Sequence, residues 1–452
     1  MANIKAVLDP FLVHQTADEL LRHASWSRAK LLRHQDEQLQ LMLLEAVEHS
    51  TFYQRSIGDF VRRQRPLSEF PIVTKEILMA NFNDIILDKN VTLAGVEQHL
   101  SGDTASDRFL GKYFLFPTGG TSGLRAVIVF DEPAWRSVLA NMIRFLYQAG
   151  LKPQSRILGI GANSALHISG RAYAEFRNLR PGTPDLDVTM PINEIVAALN
   201  VYQPNAIVTY PSFIRTLATE QQAGRLKIAP DVLGAVAESL SDDIRAMARK
   251  VWNVEILNRY NATEVGSAAS ECARPAGIHL PEDLAIFESV DDNNQPLPDG
   301  TLGRKLLITT LTNYAMPLIR YELTDLLAIT KKACACGQPF ARITSISGRR
   351  EELLTLPGID GKTREIPALY LAAPMVKVPF LKQFQIVLRQ DELEARIVIA
   401  DPSMAEAAQS RAHKEIATVL RSHDVKIDLR VSLVDEIPRQ GNGAKIKLVV
   451  RA

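Results

Sequence analysis

The stretch FPTGGTSGLRAVIVFD, residues 116–131, sets the terms on which the rest of the chain is read. Thr118, Thr121 and Ser122 alternate with Gly119, Gly120 and Gly123, and strand-like apolar residues lie on both sides. Glycines let a backbone approach a ligand closely and adopt dihedrals closed to other residues, and hydroxyls donate hydrogen bonds. The pattern therefore suits an anion. It is not a Walker loop, because no Gly-Lys-Ser/Thr follows. Alone it serves equally well as a glycine-rich turn.

Downstream, short apolar stretches alternate with helical ones. AVIVF (126–130), RILGIG (156–161), AIVTY (206–210), VLGAVA (232–237) and VEILNRY (254–260) read as strands, and DDIRAMARKVW (242–252) as a helix. That alternation predicts an α/β core with largely parallel strands. Upstream, residues from about 12 to 65 place apolar side chains at helical spacing among Leu, Ala, Glu, Arg and Gln, which predicts two or three helices. Between 278 and 330 the pattern is strand–turn–strand, with DDNNQPLPDG (291–300) as the loop. The tail mixes strands at FQIVL (384–388), EARIVIA (394–400) and DLRVSLV (428–434) with a helix over 405–420. A boundary near Gly348 divides a large domain, 1–347, from a small α+β domain, 348–452.

A chain of 452 residues can bury a full core. Its hydrophobic content of 46% and charged content of 23% are ordinary for a globular protein. A net charge of +1 leaves no electrostatic footprint for nucleic acid or an anionic membrane. No apolar run approaches the length of a membrane span, and Asp9 and Pro10 interrupt what would be the apolar part of a signal peptide. A reducing cytoplasm is the expected location, where three cysteines do not make a disulfide framework.

Four further segments carry chemistry. In NRYNATEVGSAASE (258–271) Tyr260 offers a stacking ring, Thr263 a phosphate donor and Glu264 a Mg²⁺ ligand, although the same turn fits Thr263 as a simple N-cap. In MPLIRYELTDLLAI (316–329) the lone acid Asp325 suits the two hydroxyls of a ribose, or a turn. ISGRREELL (346–354), a glycine followed by a charge cluster, has the composition of a hinge or of a solvated turn. DEIPRQGNGAKIKLVV (435–450) presents Lys445 on a Gly-Asn-Gly loop, as a solvated charge or as a clamp on phosphate and carboxylate.

Taken in order, the hydroxyl-glycine loop, YxATE, RYxxTD, GRxEE and PRxxxGxK resemble the adenylate-forming superfamily of acyl-CoA synthetases, nonribosomal adenylation domains and luciferases. LFPTGGTSG (115–123), TYPSF (209–213), AVAESLS (235–241), IRYELTD (319–325) and a Cys-x-Cys-Gly before the hinge are most similar to phenylacetate–CoA ligases. The resemblance runs from about residue 50 to the end. It implies a large domain and a small mobile domain enclosing ATP and a carboxylic acid. An acyl-adenylate forms first, and a rotation then delivers the acyl group to a nucleophile, commonly coenzyme A. By match, Thr118, Thr121 and Ser122 with Gly119, Gly120 and Gly123 hold the β- and γ-phosphates. Ala237, Glu238 and Ser239 border the adenine, with Tyr260 near it. Thr263 touches the α-phosphate, Glu264 binds Mg²⁺, and Asp325 binds the ribose. Arg349 and Glu351 form the hinge, and Lys445 bridges carboxylate and α-phosphate. His167 falls where the family places an aromatic or His beside the carboxylate, and is equally a buried structural histidine. Tyr210, Phe213, Val236 and Asn258 are expected to form an acid pocket of modest size, suited to aryl or short-chain acids.

The chain departs from the family in three places. Only Arg125 supplies charge after the phosphate loop. The lysine loop leaves Lys447 as a rival to Lys445. After the hinge, only Gly358, Gly361 and Pro367 match the segment that lines a pantetheine tunnel, so an amine or a carrier-protein thiol competes with coenzyme A as acceptor, and a catalytically dead nucleotide binder is a third reading. Cys272, His279, Cys334 and Cys336 make a Cys₃His set with the ligand types and number of a structural zinc site, and related phenylacetate–CoA ligases show a similar arrangement. The alternatives are a redox pair, which lacks the usual two-residue spacer, and three plain reduced cysteines.

Overall fold

The computed structural model of the protein describes residues 8–101, 107–118, 126–161, 167–238, 240–272, 274, 276–372, 374–375, 378, 381–390, 392–399, 401–437 and 448–452. Local signals account for the N-terminal helices. The side chains of Asp9, Ser27 and Ser50 accept first-turn backbone N–H groups of Pro10–His23, Arg28–His49 and Thr51–Arg62, as N-caps do. Their apolar stripes, including Val13, Leu20, Leu31, Met42, Tyr53 and Ile57, are buried, and the first helix packs along Glu132–Gln148.

These helices are pinned to residues far along the chain. His23 Nδ1 lies 2.9 Å and an Arg144 guanidinium nitrogen 2.5 Å from the same Asp283 oxygen, and all three residues are buried. Burial pushes the Asp283 carboxyl up, but Arg144 and His23 outweigh it and hold the group below its ordinary range. Arg28 pairs with Glu282. The Tyr53 hydroxyl donates to the Pro317 carbonyl at 2.9 Å, and Arg320 donates to the carbonyls of Ser68 and Phe70 at 2.8 and 2.7 Å.

An eight-stranded sheet occupies the middle of the fold. Ile157–Gly159, Ala206–Thr209, Val232–Ala235 and Ile256–Ala262 run parallel, on stretches expected to be strands. The expectation of a largely parallel sheet holds for this half only. Gly266–Glu271, Ile278–His279, Arg342–Arg349 and Asp325–Thr330 continue it antiparallel. Connection length explains the change. Residues 263–265 alone join Ile256–Ala262 to Gly266–Glu271, whereas a parallel neighbour needs a crossover of about a dozen residues or more. In the parallel half, side chains alternate between two apolar clusters. Ile157, Val208 and Val236 belong to one face, and Leu158, Ile207 and Leu233 to the other, as a period of about two dictates.

A three-stranded antiparallel sheet, Ala285–Val290, Lys305–Thr310 and Tyr321–Leu323, lies alongside. Val73 closes its edge through a parallel bridge to Tyr321. Gly348, where a domain boundary is expected, is the penultimate residue of Arg342–Arg349 and has φ of +98°. Beyond it come a hairpin, Leu353–Pro357 with Thr363–Pro367, and a four-stranded sheet backed by Ala405–Ser422. The buried apolar residues of this part, Leu354 to Val449, form a cluster that takes in no described residue before Leu354. Among the described residues no helix is long and apolar enough to cross a membrane.

Candidate active site and cysteine cluster

The turn at 263–265, where the sheet changes from parallel to antiparallel, gathers the site. The Val265 N–H donates to the Ala262 carbonyl at 3.2 Å and the Gly266 N–H to the Thr263 carbonyl at 3.3 Å. Gly266 has φ of +76°, and a Cβ there would lie 2.4 Å from the Val138 side chain, so only glycine closes this turn. Thr263 is half-buried, and Glu264 is buried, lining a cleft of about 350 Å³, open solvent included, with Phe130, Val138 and Asn313. Asp325 begins its strand in register with Arg349, whose Nε lies 3.6 Å from the Asp325 carboxylate. Burial pushes up both the Tyr260 hydroxyl and the Glu264 carboxyl. Asp325 pushes both further, and Arg349 pulls both back. Residues expected separately from three motifs thus share one electrostatic field.

Two members of this field were not expected. Lys75 lies close enough to lower the Glu264 carboxyl against its burial. It opens the helix Lys75–Ala80, whose N-cap Thr74 follows the bridge from Val73 to Tyr321. The only local signal for it is that cap. Tyr321 is the second: burial raises its hydroxyl, and Glu264, Glu76 and Glu322 add to the effect.

The remaining expected residues are distributed as follows. Thr118 is buried where the hairpin of Phe114–Pro117 and Val127–Phe130 opens into the glycine loop. Its N–H donates to the Ala126 carbonyl at 2.7 Å, and its Oγ1 accepts the Ala126 N–H at 3.3 Å. Gly119, Gly120, Thr121, Ser122, Gly123, Arg125, Ser239, Lys445 and Lys447 lie outside the described residues. Ala237 is exposed, with φ of +65°. The Glu238 carboxylate accepts the N–H and the hydroxyl of Ser212, each at 3.0 Å. His167 is half-buried at the N-cap of Ile168–Leu179.

A cavity of about 560 Å³, mouth included, lies between the parallel half of the sheet and the helices Glu132–Gln148 and Ile168–Leu179. Met142, Tyr173, Phe176, Val208, Val236 and Arg259 are among the residues that line it. Of the four residues expected to form an acid pocket, Val236 is in this wall. Tyr210 packs against the apolar cluster on the same face. Phe213 packs against the cluster on the opposite face. Asn258 precedes Arg259 on the strand, and the period of two turns it to the other side. Its backbone N–H donates to Glu271 at 2.8 Å.

Cys272, His279, Cys334 and Cys336 come together from the antiparallel half of the sheet. Their ligand atoms all lie within 4.8 Å of one another. The sulfurs of Cys272 and Cys334 are 3.9 Å apart, and Cys336 Sγ is 3.4 Å from His279 Nε2. Tetrahedral zinc, with Zn–S about 2.3 Å and Zn–N about 2.0 Å, requires edges of about 3.8 and 3.5 Å, so this donor set fits the ion. Burial, reinforced by Arg342, lowers the His279 imidazole to about 4, which leaves it neutral, as a metal ligand must be. Arg342 donates to the carbonyls of Ala276 and Lys332 and so ties the two ligand-bearing loops together. Between Cys272 and His279, Gly277 has φ of +116°, and a Cβ there would lie 2.5 Å from the Ile343 carbonyl oxygen. The Gly337 N–H donates to the Cys334 carbonyl at 3.0 Å and closes the Cys-x-Cys turn.

No family model matches the chain. A phenylacetate–coenzyme A ligase of Thermus thermophilus is 30% identical over 316 residues, which are 66% of this chain and 68% of that protein. An Escherichia coli protein of the same name is 26% identical over 349 residues, 72% of each chain. Among solved structures, a 2-hydroxyisobutyryl-CoA ligase in the postadenylation state, in complex with R3-HIB-AMP, matches with a TM-score of 0.73 at 18% identity, covering 95% of this chain and 91% of that one.

Proposed function

The chain belongs to the phenylacetate–coenzyme A ligase family, and from that premise we propose how its residues divide the work of an AMP-forming acyl-CoA ligase. The enzyme joins a small carboxylic acid to ATP, releasing pyrophosphate, and then passes the acyl group of the adenylate to the thiol of coenzyme A, releasing AMP. The observation that carries the assignment of roles is the shared field of Tyr260, Glu264, Asp325 and Arg349. Asp325 accepts the ribose hydroxyls, while Tyr260 and the segment Ala237, Glu238 and Ser239 border the base. Thr118, Thr121, Ser122 and the loop glycines donate to the phosphates, and Thr263 donates to the α-phosphate.

Attack by a carboxylate on a phosphate is opposed by like charge, so the site must supply cations. Lys445 is assigned to bridge the two reacting anions, with Lys75 and Arg349 adding positive potential. Glu264 fits a Mg²⁺ ligand, since a buried carboxyl pushed up further by Asp325 gains from an added cation. Bound there, Mg²⁺ supplies charge against the phosphates. His167 is assigned to the neighbourhood of the substrate carboxylate.

The residues after Gly348 act as a small domain turning about Arg349 and Glu351, a division supported by their separate apolar cluster. Zinc held by the Cys₃His set would be structural, because protein ligands would take all four tetrahedral positions and leave none for substrate. Thiolate ligands and unpaired cysteines suit a reducing compartment such as the cytoplasm.

The test is exchange of labelled pyrophosphate into ATP across a panel of carboxylic acids, followed by addition of coenzyme A. Acid-dependent exchange, and AMP with a thioester once the thiol is added, is the expected result. No exchange with any acid refutes the assignment.

A further inference from the structure

We infer that Tyr173 sets the length of the acid this enzyme accepts, and that Gly159 and Gly161 fix where that limit falls. The inference deepens the ligase function proposed above and rests on it. Asn261 lines the larger cavity from the strand Ile256–Ala262, two residues before Thr263. At about 3.3 Å per residue along a strand, its Cα is roughly 7 Å from the point where the α-phosphate is placed. From there the cavity crosses Val236 and Val208 to Gly159, on the strand Ile157–Gly159 at the edge of the sheet. That edge is three strand spacings away, roughly 14 Å at about 4.8 Å each. A tail growing from the reacting carboxylate into this space heads for Gly159.

Tyr173 stands across that path. Its backbone belongs to Ile168–Leu179, where Ser169, Tyr173 and Phe176 follow at spacings of four and three and line the cavity together, as neighbours on one helix face do. Its ring reaches from the helix to the strand. A Cβ on Gly159 would lie 2.2 Å from one edge of the ring, and a Cβ on Gly161 3.1 Å from the opposite edge. Residues two apart in extended backbone share a face, so the ring lies lengthwise over two positions that have no side chain. The tyrosine therefore fills the gap between the helix and the sheet from one layer to the other.

A tail too long for this space must push an aromatic ring off its seat in a close-packed interior. A single methylene that does not fit lowers kcat/KM by about 10-fold or more. Removing the ring opens the strip above Gly159 and Gly161 to a longer tail. A methyl group on Gly159 does the reverse, because the ring atoms that it meets must lift off the strand toward the cavity. The two substitutions thus move the length limit in opposite directions, which a general loss of packing does not do.

Pyrophosphate exchange with the full-length enzyme tests this across the even-numbered linear acids from acetate to dodecanoate, and with phenylacetate against naphthylacetate. Wild type is expected to lose about 10-fold or more in kcat/KM at one step of lengthening. Tyr173→Ala should move that step to a longer acid, Tyr173→Phe should leave it in place, and Gly159→Ala should move it to a shorter one. Each is read as the ratio of longer to shorter acid within one variant, so a general loss of activity cancels. A wild-type profile with no such step overturns the inference and leaves the ligase function standing. So does a step at the same acid in a folded Tyr173→Ala. Where Tyr173→Ala fails to fold, Gly159→Ala decides, and a step unmoved or moved to a longer acid overturns the inference. Absence of exchange with every acid overturns both readings.

Discussion

Replacing Cys334 and Cys336 by serine is expected to remove one equivalent of zinc and to lower the melting temperature by a calculable amount. Two of the ligand edges, 3.9 and 3.4 Å, lie within a few tenths of an ångström of a zinc tetrahedron, and all four ligand atoms lie within 4.8 Å of one another. An ion present at about a thousand times its dissociation constant stabilises the folded state by about 4.1 kcal/mol. The unfolding entropy is about 2.1 cal/mol/K per residue. Over the roughly 350 residues before the hairpin, that stabilisation corresponds to about 5–6 °C. Elemental analysis of protein purified without chelator gives the stoichiometry, and thermal melts of wild type and double variant, with and without chelator, give the shift. Cobalt substitution adds a check on geometry through the absorption of tetrahedral thiolate. Wild-type protein that contains no zinc and melts at the same temperature in chelator refutes the assignment.

Other outcomes are as sharp. Lys445→Ala should lower adenylation by about 100–1000-fold while Lys447→Ala leaves it intact; the reverse pattern in parallel exchange assays would transfer the role to Lys447. Asp283→Asn should cost about 3–5 kcal/mol in denaturant unfolding, because it leaves Arg144 as a buried charge. Since the Asp283 carboxyl is held below its ordinary value, its stabilisation is complete above the unfolded carboxylate range and is lost as pH falls through the lower folded value. Wild type should therefore lose its advantage over the variant in acid, and an advantage independent of pH would contradict the pairing. Gly277→Ala, which brings a Cβ to 2.5 Å from the Ile343 carbonyl at φ of +116°, should lower zinc content and cost at least about 2 kcal/mol. Normal zinc and stability in that variant would contradict the geometry.

Much of the fold was legible because local chemistry and tertiary position agree. Ser27 and Ser50 cap the helices that their spacing announces, and the five apolar stretches named as strands all lie in sheets. The antiparallel half was misjudged because the alternation of strands and helices stops at residue 262, and periodicity does not report direction. The hairpin Leu353–Pro357 with Thr363–Pro367 is not among the expected strands. In the site, motif residues were accessible because each type has a distinct chemistry. Lys75 was not, because its place depends on a backbone bridge to Tyr321, nearly 250 residues away, and no spacing encodes that. Phe213 was assigned to the acid pocket on composition, and its helix turns it to the opposite face. Arg259 went unremarked beside Tyr260, since strand alternation hides which of two neighbours faces the cavity.

The pinning of the first helices to residues 282–320 has a consequence for synthesis. The bonds from Phe70 to Arg320 and from Tyr53 to Pro317 span 250 and 264 residues. At translation rates of about 5–20 residues per second, the helices leave the ribosome on the order of 12–50 s before their partners exist. Throughout that interval the Tyr53 hydroxyl and the carbonyls of Ser68 and Phe70 lack the partners they have in the folded chain. The bonds that pin these helices therefore close long after the helices are made, and until then the first of them is held by its nearer partner, Glu132–Gln148.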